Sequence, residues 1–426
     1  EPWIPVEMLD GSSQEVSLTG AFKEAHRIRR LTGSPLEAAV LHRLLLAILH
    51  SACPVPNPRA WARLWQEPEA AMASALKKVE EHKDKFDLYH ERHPFLQHPG
   101  LPPGTKPMAV LLYDRAQGNN PIFLDASSEL EAQPVSSAEA TRGLLVNLSF
   151  GGAHPDKSSP LSTGKDNTMY AGPLCARLVV IVEGGNLAKT LLLNLLADEK
   201  PGRLAWERRV APHPGKAMVE GLCDRFTRMT RFIRLQPSES GGEAVSTALH
   251  MGEAIEDDPN LPQDPMMPLY LAADKKLKVQ RLDADRALWR SSHVLLNSKS
   301  RPDSKPARAM EQLDSLASLG LLSRSETVGL RVMGVAGNAQ GPKTDLWRDE
   351  TLPFRLSVVA DEARFSRLVT AVNTADEEAH KLRKRIFSFA LRYLQAALPN
   401  PKPEDAQKLA DELAPGLNDY WSALAP

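Results

Sequence analysis

The stretch from Leu36 to Leu49 is apolar on nearly every side, through Leu36, Val40, Leu41, Leu44, Leu45, Leu46, Ile48 and Leu49. An all-round apolar helix has no face to give to water, so the rest of the chain must wrap it. Its start is marked locally. Ser34, Pro35 and Glu37 supply a cap, a proline at the first helical position and the acidic partner of a capping box. At 426 residues the chain is long enough to build such a core and to divide into two or more domains.

Helical spacing of Trp61, Leu64 and Trp65 predicts a second helical stretch over 59–88, ended by His93-Pro94-Phe95-Leu96. From about 100 to 140, Pro102-Pro103-Gly104, Gly118-Asn119-Asn120-Pro121 and Ser127-Ser128 are turn chemistry with few apolar anchors. That composition predicts a long mobile loop and a candidate binding segment. A helix from Ser137 to Phe150 then runs into Gly151-Gly152 and a polar stretch to about 170. Leu178 to Val182 carries a buried-strand signal, turned by Gly184-Gly185-Asn186 into a helix from Leu187 to Leu196. Strands are expected at Phe232 to Leu235 and Val332 to Val335, with a weaker one from Lys275 to Leu282. After Pro353 the pattern is helical, through Val358 to Thr374, Glu377 to Ala397 and Glu404 to Leu424. The expected fold is therefore α+β: a large mixed domain over 1–352, then a small antiparallel helical bundle over 353–426.

Enzyme signals fail on inspection. Glu183-Gly184-Gly185-Asn186-Leu187-Ala188-Lys189-Thr190 resembles a phosphate-cradling loop, but Glu183 and Ala188 stand where glycines are required. A nucleotide-binding enzyme built on the 184–190 turn is the alternative this leaves. His82, His90, His93 and His98 cluster without the partners of a common metal site, and Cys53, Cys175 and Cys223 lie far apart. Buried, reduced thiols are expected, and no catalytic group, metal or cofactor. The opening Glu1 to Val6 lacks the regions of a signal peptide, and a cytoplasmic location without membrane contact is expected.

Net charge is −1, so contact with a polyanion must come from local patches or from partners. Between Arg203 and Arg234 eight basic residues face three acidic ones. Arg225, Arg228 and Arg231 fall three apart and would share a face if helical, a candidate phosphate grip against the commoner solvated face. Lys275, Lys276, Lys278 and Arg281 form a second basic group on a candidate hairpin. In Gly334 to Pro342 a strand enters a turn of small residues bearing Asn338 and Gln340, whose amides suit base edges. An ordinary hairpin turn has the same composition.

An ordered set of segments resembles the large subunit of the type I-E CRISPR Cascade complex, the CasA family. The set comprises Pro2-Trp3-Ile4-Pro5-Val6, Leu44 to Leu49, His93 to Gln97, Gly118 to Phe123 followed by Ser137 to Ala140, and Glu183-Gly184. It continues through Thr190 to Asn194, Ala205-Trp206-Glu207, Asp264-Pro265-Met266 and Ala287 to Arg290. The resemblance implies a non-catalytic subunit of an RNA-guided DNA surveillance complex in antiviral defence. Such a subunit recognises the protospacer-adjacent motif (PAM), helps open the duplex and supports recruitment of the helicase-nuclease. Its partners would be the other Cascade subunits with crRNA and double-stranded target DNA. The alternative is a scaffold of another assembly. By position, the resemblance carries DNA contact to Phe123-Leu124-Asp125, to Gly151-Gly152, to Lys275 or Lys276, and to Asn338, Ala339, Gln340 and Gly341, with Gln340 as the wedge. Three departures stand out: the cysteine cluster of some members is absent, so no zinc is expected; Ala339 replaces an asparagine; and the family's helical domain usually continues past the position of Leu424.

Overall fold

The computed structural model describes residues 1–115, 133–156, 159–161, 168–208, 212–256, 264–272, 274–282, 287–299, 304–337, 344–398, 400, 402–413 and 415–424. The core helix is Pro35–Ala52. The Ser34 hydroxyl accepts from the Glu37 amide at 3.2 Å, and the Ser34 amide donates to the Glu37 carboxylate at 2.7 Å, the reciprocal pair the sequence predicts. Its residues from Ala38 to His50 are all buried. Length and hydropathy would suffice to cross a membrane, but the helix is wrapped by Pro68–Glu81, Ser137–Phe150 and Leu222–Thr227. Each buried leucine contributes roughly 1.5–3 kcal/mol, so this helix anchors the domain.

Against it lies an antiparallel sheet of Ser13–Val16, Ile4–Met8 and Ile28–Leu31, not expected from the sequence. Ile4, Val6 and Met8 are buried while Pro5 and Glu7 are half-buried, a period-two pattern. The helical stretch expected over 59–88 is two helices, Pro58–Gln66 and Pro68–Glu81, and a 3₁₀ turn. Pro68 opens the second because it cannot supply the amide that would continue the first.

A central antiparallel sheet is ordered Thr344–Arg355, Thr327–Gly337, Leu178–Glu183. The turn after Glu183 leads into Leu187–Asn194, and the Asn194 side chain bonds both the amide and the carbonyl of Val182, at 3.1 and 2.8 Å. A second sheet pairs Arg231–Pro237 with Glu243–Met251, and a third is built on the hairpin Leu269–Leu271 and Leu277–Val279. Cys53, Cys175 and Cys223 are buried free thiols.

Helices close the chain, in the α+β arrangement expected. The strand Thr344–Arg355 runs through the boundary placed at 352–353. The helices expected at 358–374 and 377–397 are one helix of 36 residues, Glu362–Ala397, since no glycine or proline interrupts them. The stretch from Glu404 divides into Pro403–Glu412 and Pro415–Leu424. Arg290 fastens this region to the mixed domain: it donates to Asp376 at 2.9 Å and lies 3.5 Å from the ring centre of Trp421.

Candidate nucleic-acid interface

The helix Ser137–Phe150 starts on Ser136, whose hydroxyl accepts from the Glu139 amide at 3.2 Å, and ends at Gly151, whose amide donates to Asn147 at 3.0 Å. Beyond that last turn the chain folds against the Arg231 side chain. A Cβ on Gly151 would lie 2.7 Å from the Asn147 carbonyl and 3.0 Å from an Arg231 nitrogen, so only glycine fits without displacement. Gly172 bonds back, its amide donating to the Gly151 carbonyl at 2.8 Å, and a Cβ there would be 2.4 Å from the Ser149 oxygen.

Arg231 is 1% exposed and holds this loop together. Its guanidinium donates to the carbonyls of Gly151 at 2.9 Å, Gly152 at 2.8 Å and Thr230 at 3.1 Å, and to that of Tyr170. Burial pulls its pKa down to about 10, while Tyr113, Cys175 and Asp156 act the other way. It remains a cation at neutral pH.

The arginine spacing read as one helical face is corrected here. The helix Leu222–Thr227 stops before Arg228, and Arg231 begins a strand. All three arginines are buried. Arg228 forks onto Asp224, with one bond of 2.9 Å, and reaches Glu253 at 3.0 Å. Arg225 lies beside the buried pair of Arg43 and Asp264, which meet at 2.7 Å. The local excess of positive charge is spent largely on partners inside the fold.

The lysine hairpin is built at its tip by backbone bonds. The Lys275 amide donates to Ala272 and the Ala272 amide to Lys276, both at 2.9 Å, while the Lys276 amide donates to the Asp274 carboxylate at 3.3 Å. Lys275 sits at φ +58°, in the left-handed region, which tightens the turn. Lys275 and Lys276 are exposed, and neither has an ion pair among the described residues. Lys278 is paired with Asp274 at 2.9 Å.

Of the hairpin expected to carry a wedge, the stems are described: Thr327–Gly337 pairs with Thr344–Arg355 along its length. Asn338, Ala339, Gln340 and Gly341 lie outside the described residues, as do Phe123, Leu124 and Asp125. The stem crosses Arg177 closely, since a Cβ on Gly334 would lie 2.5 Å from the Arg177 carbonyl.

These pieces meet. A cavity of about 530 Å³ is lined by Gly172 behind the glycine loop, by Leu277 and Lys278 of the lysine hairpin, by Arg177 under the wedge stem, and by Arg225 and Asp264. Sequence reasoning missed the cavity because its walls come from segments about 100 residues apart. The turn at 184–190 does not line this cavity. Its Gly184 amide donates to Thr190 at 3.0 Å, Asn186 caps the Lys189 amide at 2.9 Å, and Glu183 is paired with Arg331 at 3.3 Å. The amides of Gly184, Ala188, Lys189 and Thr190 are thus taken by partners within the fold and are not offered to a phosphate.

Residues 1–425 match the family model for the CRISPR-associated protein Cse1. A curated CasA/Cse1 of Thermus thermophilus is 30% identical over 453 aligned residues, covering 100% of this chain and 84% of the relative. The crystal structure of Thermus thermophilus CasA superposes with a TM-score of 0.80 at 28% identity, covering 100% of this chain and 85% of that one. A chain of a CRISPR RNA-guided surveillance complex shares the fold at a TM-score of 0.79 and 20% identity, with 99% and 87% covered. A match of this extent in sequence and in fold places the chain in the CRISPR-associated Cse1 (CasA) family.

Proposed function

We propose that this chain is a non-catalytic subunit of an RNA-guided DNA surveillance complex, where it recognises the protospacer-adjacent motif and helps open the target duplex. Guide RNA held by partner subunits reads the remaining sequence by pairing. The observation that supports the reading is one cation-rich cavity lined by neighbours of all three segments: Gly172, bonded to Gly151, then Leu277 and Lys278 of the lysine hairpin, and Arg177, whose carbonyl abuts Gly334 of the wedge stem. Each segment suits a different task. Gly152, half-buried and positioned by the buried Gly151, offers backbone without a side chain to a groove floor. Lys275 and Lys276 offer mobile cations to phosphates, a contact without base information. A hairpin tip bearing Gln340 would part the first base pair, at a cost of a few kcal/mol in unstacking. Recruitment of the helicase-nuclease and a cytoplasmic setting belong to the same proposal.

The test is a gel shift with crRNA-bound partner subunits and duplexes that differ only beside the target. The expected result is a shift that depends on the flanking motif and is lost without this chain. Equal shifts for every flanking sequence would overturn the proposal.

A further inference from the structure

The cavity of about 530 Å³ falls within the size range of sites for small organic ligands. Its lining is richer in cations than in carboxylates. Arg177, Arg225, Lys278 and Arg281 line it against one carboxylate, Asp264, and that carboxylate already accepts from Arg43 at 2.7 Å. Lys278 is held by Asp274. Arg281, at the exposed rim, pairs with no carboxylate among the described residues, and Arg177 uses one guanidinium nitrogen on the Pro173 carbonyl at 3.0 Å. Their field reaches further in. Burial raises the pKa of the Cys175 thiol, and Arg231, Arg177 and Arg281 draw it back.

Beside these cations stands an aromatic ring. Tyr270 is 36% exposed and lines the cavity next to Leu277 and Val279. A cationic wall beside an exposed aromatic face complements a phosphate joined to a planar base, and stacking of this kind tolerates any base. We infer that the cavity binds a single unstacked nucleotide, its phosphate held by Arg177 and Arg281 and its base laid against Tyr270. The nucleotide is either free or an unpaired residue of a DNA strand. The second source rests on the proposed function, since it needs a duplex opened at the neighbouring hairpin.

The experiment uses the full chain. Calorimetry with deoxyadenosine monophosphate and with inorganic phosphate is set beside fluorescence of a single-stranded oligodeoxynucleotide carrying one 2-aminopurine. Saturable binding of the mononucleotide or the oligonucleotide is expected, with inorganic phosphate at least about tenfold weaker because it has no base to stack. Arg281→Gln and Tyr270→Ala, both at exposed positions, should each weaken binding about tenfold while circular dichroism stays unchanged. Binding of the mononucleotide alone assigns a free ligand, and binding of the oligonucleotide assigns a DNA strand. Absence of saturation by either, phosphate binding as tight as the mononucleotide, or unchanged binding in both variants would overturn the inference. The motif-dependent gel shift separates the two claims. If it persists while no nucleotide binds, the cavity inference alone fails; if it is absent while the mononucleotide binds, the cavity stands and the DNA reading fails.

Discussion

Replacing Arg231 by lysine keeps the charge and removes the fork. The guanidinium serves four carbonyls, those of Gly151, Gly152, Tyr170 and Thr230, from a position that is 1% exposed. A single ammonium has a shorter, pointlike reach and leaves at least two of them unserved. Hydrogen bonds to charged groups contribute roughly 1.5–3 kcal/mol each, so the gross loss is about 3–6 kcal/mol. Two features reduce it. The Gly151 carbonyl keeps the Gly172 amide at 2.8 Å, and half-buried Gly152 can turn to water. A net loss of about 2–4 kcal/mol follows, less than the stability of a typical domain, so the protein stays folded and the glycine loop loosens. Hydrogen exchange reads this directly. The Gly172 amide, bonded to Gly151, should exchange roughly thirty- to several-hundred-fold faster in Arg231→Lys, while amides of the core helix Pro35–Ala52 change far less. An unaltered Gly172 rate, with a urea midpoint equivalent to within about 0.5 kcal/mol of the parent, would show that the loop does not depend on the clasp.

Acid should destabilise the fold before its carboxylates titrate. Burial holds the pKa of His42 down at about 3 and that of His50 at about 4, below the ordinary 6.5. Between those values and 6.5 the unfolded chain takes protons that the folded chain refuses, so stability is full above pH 6.5 and falls as pH drops. By pH 5 each histidine should cost about 2 kcal/mol, measurable as a fall in urea midpoint between pH 7 and 5; a flat profile would refute it. Within the assembled complex, Lys276→Gln should weaken binding to every flanking motif alike and reduce the slope of log affinity against log salt by about one, read from a salt titration. A change in motif preference instead would contradict a phosphate role.

Local rules reach the elements whose signals are local. Ser34 to Glu37 encodes its own helix start, and the structure repeats it bond for bond. Pro68 carries the same kind of signal, yet helical spacing on either side of it masks the break. The alternation of Ile4, Val6 and Met8 is likewise local, but over five residues it is too short to stand out. The arginines fail for another reason. A spacing of three says which face residues share only while the helix lasts, and this one ends at Thr227. Glu253, which takes much of the charge of Arg208 and Arg228, lies a full sheet away in sequence, where counting charges in a window cannot find it. The cavity is illegible for the same reason: Gly172, Arg225 and Tyr270 lie far apart in sequence and become neighbours only in the folded chain.

The helix Glu362–Ala397 spans about 54 Å at 1.5 Å per residue. Its Arg290 contact falls at Asp376, so the remainder extends about 30 Å beyond that fastening point. Geometry makes this a lever with a short inner arm and a long outer one. A tilt of about 10° at Asp376 sweeps the Ala397 end through about 5 Å, roughly one helical turn. A side-chain rearrangement around Arg290 and Trp421 that tilted the helix would thus be magnified at the far end, where Phe389 and Tyr393 stand exposed.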